Sequence, residues 1–348
     1  MNTLSSSQTN IPASTKVQRN LAPALTLIVL APVIAEVLSG ATRLSYIFVL
    51  IPEMMVWGCG ALLIREIVRR WDGGGTSMLM LGLALSIAEE FIIQQTSLAP
   101  LPWLGSAAVY SRQWGVNWLY FLFMLGYESV LVVLVPVQIT ELIFHERRKD
   151  QWLRTRGLII SSLVFLLGSF FAWFLWTQRA RPLTYHVPPY HPSPVLLAAA
   201  VLAIVGLVAF AYFLRNFDHG PLSAGRTPSA WIVGLAVLVM GFPWYILMGF
   251  VFSPTIPHKF SFWLPMAAGI VWAVLAFLVI RRWSLSQNWD DTHRWAVTFG
   301  ATLVGMTAGY LGSSTWPRAD LIAKIIFNVI AVAGFVLLAT RIRRREKV

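Results

Sequence analysis

Five glutamates of this sequence, Glu36, Glu53, Glu89, Glu90 and Glu128, lie inside long apolar runs. A carboxylate in such surroundings is costly unless it is paired, neutralised or facing water, so each is a functional candidate by default. Two are adjacent, Glu89 and Glu90, with Gln94 and Gln95 about one turn further on. Neighbours on a helix point about 100° apart, so only one of the pair faces a given cavity squarely and the other needs a partner. A pair of this kind can act as general acid, general base or proton carrier. Glu89, Glu90 and Glu128 are the candidate catalytic residues. Glu53, Gln94, Gln95, Asn117 and Tyr127 are the candidate substrate- or proton-binding residues. Glu36, close to the end of its run, reads as an ordinary hydrogen-bond partner. Glu66 precedes Arg69 and Arg70 by three and four residues, the spacing of helix-surface pairing, so Glu66→Gln is expected to be nearly silent. The sole cysteine, Cys59, excludes an intramolecular disulfide and a Cys-based metal site. No metal or cofactor is expected, because no nucleotide loop, nucleophile elbow or zinc-protease helix motif is present.

The elements that must position these residues follow from composition. The chain has 348 residues, 57% hydrophobic and only 12% charged, with mean hydropathy +0.67. A soluble domain carries about 25% charged residues, so lipid must solvate most of this chain. Apolar runs fall near 21–40, 44–66, 76–95, 116–142, 157–177, 194–214, 229–252, 260–281, 294–313 and 321–341. Most reach the roughly 20 residues that a spanning helix needs. The expected fold is all-α, a polytopic transmembrane bundle of about ten spans. The first run reads as a retained helix, since it is longer than the apolar region of a signal peptide and contains Glu36. Four segments are expected: a disordered cytoplasmic tail at 1–20, a glutamate-containing four-helix core at 21–156, a six-helix region at 157–341 and a basic cytoplasmic tail at 342–348. Runs five to ten carry no acidic residue.

Net charge is +12, with 27 Lys and Arg residues. Placing both termini in the cytoplasm puts most of these basic residues in cytoplasmic loops, alternating loop by loop as the positive-inside rule requires. The charge is therefore read as orientation in a bilayer, which is the expected partner, and no nucleic-acid binding is expected. The expected location is a bacterial cytoplasmic membrane.

The segment Ala88-Glu89-Glu90-Phe91-Ile92-Ile93-Gln94-Gln95 distantly resembles the Glu-Glu-x-x-x-Arg motif of the CPBP family (CAAX proteases and bacteriocin-processing enzymes), which contains intramembrane proteases. A wider stretch, including Gly82-Leu83-Ala84, Gly115-Val116-Asn117-Trp118 and Val135-Pro136, is similar to uncharacterised bacterial multi-pass membrane proteins. The resemblance covers roughly residues 50–157. It implies that Glu89 and Glu90 activate a water. Gln94 stands where the family has arginine, and Phe123-x-x-x-Tyr127 is the nearest counterpart of its Phe-x-x-x-His motif. Two functional classes follow: a divergent glutamic intramembrane hydrolase, or a carboxylate-dependent, proton-coupled transporter. A non-catalytic scaffold is the third. A hydrolase needs an oxyanion stabiliser, which would come from Gln94, Gln95, Asn117 or Tyr127.

Overall fold

The computed structural model describes residues 20–101, 110–219, 225–252 and 261–346; the expected tail up to residue 19 and the middle of the Ser97–Gly115 loop lie outside them. Ten helices follow the ten apolar runs: α1 Ala22–Val37, α2 Leu44–Arg70, α3 Gly75–Ile93, α4 Trp118–Ile143, α5 Thr155–Thr184, α6 Pro194–His219, α7 Ala230–Phe252, α8 Trp263–Ser284, α9 Asp291–Ala308 and α10 Arg318–Arg345. Among the described residues eight of these are long and apolar enough to cross a membrane. The other two are α1 and α9. At 1.5 Å per residue α1 is about 24 Å long, and α9 opens on the polar stretch Asp291-Thr292-His293-Arg294. A small antiparallel hairpin, β1 Arg112–Gln113 with β2 Val116–Asn117, precedes α4.

Burial separates the helices into two classes. In α2, α3 and α4, 50, 67 and 61% of the most apolar window is buried, against 11% in α5, α6 and α7 and 6% in α8. The glutamate-bearing helices α2, α3 and α4 therefore lie in the interior, α9 also buries one face, and α5 to α8 present leucine, valine and phenylalanine outward, as lipid-facing helices do, with α10 between the two classes at 28%. With no hydrophobic drive between helices in lipid, close approach at small residues supplies the packing. A Cβ at Gly58 of α2 would overlap the Ile28 carbonyl of α1, and one at Gly309 would overlap the Ser39 carbonyl. Gly309 thus serves internal packing.

Polar contacts sort the loops into two ends. At one end Arg147 bonds the Asn20 carbonyl at 2.6 Å, Arg148 pairs with Asp291 at 2.7 Å and Arg345 bonds the Leu142 carbonyl at 3.0 Å. At the other, Ser45 bonds Asp320 through its amide and hydroxyl at 2.9 and 2.8 Å, and Arg181 bonds the Pro100 carbonyl at 3.1 Å.

Two expectations need correction. The later helices do contain acids, Asp218, Asp291 and Asp320, because α6, α9 and α10 extend beyond their apolar runs. All three sit at helix ends. Asp218 accepts from the Thr76 amide at 2.7 Å and hydroxyl at 2.6 Å, capping α3 from another helix. Glu66 is not a surface residue. Its side chain is fully buried between Arg65 at 2.7 Å and Arg70 at 2.7 Å, and it accepts from the Trp152 and Leu153 amides at 3.0 and 3.1 Å. Glu141 is bound likewise by Arg65 at 3.2 Å and Arg69 at 2.6 Å.

Candidate functional site

Each of the four glutamate-bearing helices widens into a π-helical turn at or beside its glutamate. These turns span Val33–Val37, Met54–Gly58, Glu89–Ile93 and Glu128–Leu134. Such turns rotate side chains out of register and are frequent at functional sites. In α4 the cause is local. The ring of Pro136 would clash with the carbonyl four residues earlier, and widening the preceding turn relieves it.

The turns leave the five glutamates within electrostatic reach of one another. Glu89, Glu90 and Glu128 are each 1% exposed and Glu53 is 6% exposed, while Glu36 is half-buried. Glu89 lies within electrostatic reach of Glu90, Glu36 and Glu53, and Glu128 within reach of Glu90, Glu89 and Glu36. Hydroxyls line the cluster. Thr42 donates to Glu53 at 2.5 Å and Ser97 donates to Glu90 at 2.7 Å. Tyr127 donates to the Ala35 carbonyl, reaches the Ser39 hydroxyl at 3.2 Å and lies against Glu36. Among the described residues both carboxylate oxygens of Glu89 and of Glu128 lack a well-formed hydrogen bond, as does the second oxygen of Glu53, with the Ser86 hydroxyl beside Glu128. Among the described residues none of the five joins a salt bridge.

No family model, no curated protein and no solved structure matches this chain. The site is therefore read from its own geometry.

That geometry brings Glu53, Glu89, Glu90 and Glu128 together and adds Glu36, which the sequence suggested was a bystander. It disperses the polar candidates. Asn117 is fully buried but committed to the loop: its amide nitrogen donates to the Thr96 and Ala99 carbonyls at 3.1 and 2.8 Å, and its oxygen accepts from Arg112 at 2.9 Å. Gln95, at φ 60°, turns the chain out of α3 and its amide donates back to the Ile92 carbonyl at 3.3 Å. Gln94 is half-buried at the helix end. Tyr127 sits with Glu36 rather than with the adjacent pair.

Three groups were missed. Tyr120 faces Glu90, Glu128, Glu36 and Glu89; its position eight residues before Glu128, on the same helical face, was a usable signal. Ser86 lies beside Glu128 and one turn before Glu90, again a readable spacing. Ser97 reaches Glu90 only because the backbone reverses at Gln95, which helical periodicity does not reveal. Among the described residues no three His, Cys, Asp or Glu side chains converge closely enough to hold a metal ion.

Proposed function

We propose that the chain is a ten-span protein of a bacterial cytoplasmic membrane, with both termini inside, whose glutamate cluster binds protons and exchanges them for a cationic substrate during transport. The observation that carries this reading is the gathering of five carboxylates from four helices, with no basic side chain among the described residues bonded to them. Several unbalanced charges at such separations in a low-dielectric interior are prohibitive. The balance comes from bound protons or from a cation, and each displaces the other. Glu89, Glu90 and Glu128 are buried in this conformation, so transport requires a second conformation that opens them to one face.

The test is a pH-dye assay in vesicles of reconstituted protein, with ethidium and other organic cations as probes. The expected result is proton release on cation addition, lost in Glu89→Gln and in Glu128→Gln. Absence of proton movement with every probe, in protein shown to be folded, would overturn the reading.

One observation favours a second reading, a divergent glutamic hydrolase similar to the CPBP proteases. Ser97 fixes Glu90 while the adjacent Glu89 keeps both oxygens free, as a water-activating base requires. Against it, two of the three amides that would stabilise an oxyanion, Asn117 and Gln95, bond backbone carbonyls of the loop and the helix end. Cleavage of a labelled transmembrane peptide by wild type and not by Glu89→Gln would favour this reading over transport.

A further inference from the structure

The last helix shapes a second feature, away from the glutamates. With α1, α2 and the end of α4, α10 walls an apolar groove of about 650 Å³ on the outside of the bundle. Ile34, Val37, Ile139, Phe335 and Leu338 form a buried floor, and Ile330 and Leu337 form exposed rims. The groove follows α10 from Phe327 to Arg341, about 21 Å at 1.5 Å per residue. One leaflet contributes about half of a hydrocarbon core roughly 30 Å thick, so the groove is longer than a single leaflet is deep.

Two details show that the groove is shaped for an occupant. Gly334 lies in its wall, and a side chain there would meet nothing within 4 Å. A mid-helix glycine lowers helix stability, and here no neighbouring helix uses the space it leaves. With Ala331 one turn before, it forms a notch in α10 that only a molecule outside the chain can fill. Arg341 is the single charged lining residue. It stands exposed at the end of the groove, with Arg343 and Arg344 exposed on the following turn.

We propose that the groove holds one hydrocarbon chain of an anionic phospholipid, with the headgroup phosphate on Arg341. An apolar trough ending in a guanidinium matches that amphiphile in both parts, since a guanidinium binds phosphate through paired N–H donors. Juxtamembrane arginines also attract anionic lipid generally. The floor includes Ile34 and Val37 of the turn that carries Glu36, so the bound chain packs on the back of that turn.

The experiment is native mass spectrometry of the detergent-purified protein titrated with phosphatidylglycerol or with phosphatidylcholine. Wild type is expected to retain one phosphatidylglycerol in preference to phosphatidylcholine. Gly334→Leu, which builds only into open space, is expected to lower retention of both lipids at least tenfold. Arg341→Gln, an exposed change, is expected to cut the preference for phosphatidylglycerol about fivefold while phosphatidylcholine binds as before. Thermal melts check that both variants fold. Equal loading of the two lipids on wild type, or unchanged retention in Gly334→Leu, would overturn the proposal.

Discussion

Replacing Glu66 by glutamine tests the packing of the membrane core at its most connected point. The Glu66 carboxylate takes two charged contacts, Arg65 at 2.7 Å and Arg70 at 2.7 Å, and two backbone amides, Trp152 at 3.0 Å and Leu153 at 3.1 Å. Neither Glu66 nor Arg65 is accessible to solvent. Glutamine keeps one acceptor oxygen and turns an NH₂ toward groups that are all donors. Removing one partner from a buried ion pair costs about 3–5 kcal/mol. Arg65 retains Glu141 at 3.2 Å and the Arg148 and Asp150 carbonyls at 2.8 and 2.6 Å, which places the expected loss near the lower bound, about 3 kcal/mol. The assay is unfolding in mixed micelles of increasing SDS fraction, read by circular dichroism. Arg147→Gln is the control. It loses a 3.4 Å pair with the half-exposed Asp150 and an exposed bond to the Asn20 carbonyl at 2.6 Å, and such surface contacts contribute about 0–1 kcal/mol each. Equal stability of the Glu66 and Arg147 variants would refute the reasoning, because it would mean that Arg65 and the two amides lose nothing with the carboxylate.

Glu89→Gln and Glu128→Gln are expected to leave unfolding stability unchanged or raised, since each removes a charge that has no partner, and to abolish the proton release measured in vesicles; a stability loss like that of Glu66→Gln would make the cluster structural. Lys324→Met removes a buried amine that donates to the Leu38 and Ser39 carbonyls at 2.7 and 3.0 Å, and should cost about 2–3 kcal/mol, the scale of hydrogen bonds to charged groups, in the same SDS titration. In a Cys59→Ser background, Asp150→Cys should resist a membrane-impermeant maleimide in intact cells and His186→Cys should react; labelling at position 150 from outside would reverse the proposed orientation.

The helices were legible because the signal for them is length and hydropathy, which do not depend on partners. Their ends were less so. The fifth run was closed at 177 because Gln178, Arg179 and Arg181 follow, yet α5 continues to Thr184. Arg181 is buried against the Pro100 carbonyl, and Arg179 lies over the Phe174 ring at 5.1 Å. These charges find protein partners and do not end the helix. The same reasoning explains Asp218 and Asp320, whose partners Thr76 and Ser45 lie far away in sequence.

The acids divide into two groups that sequence alone treated in the wrong order of surprise. Glu66 and Glu141 stand among arginines at helix spacing, which is also what a solvated helix end looks like. Only the fold of residues 148–153 over them, with backbone carbonyls on Arg65 and backbone amides on Glu66, turns the pattern into a sealed network. Glu36, Glu53, Glu89, Glu90 and Glu128 have no basic residue at any helical spacing that could reach them, and packing supplies only hydroxyls. A chain that brings seven glutamates into a membrane protein's interior and balances two of them with Arg65, Arg69 and Arg70 has the means to balance the rest. Leaving five bonded to no base is a cost in stability, and it is the difference between the two groups that points to binding of protons and cations by the second.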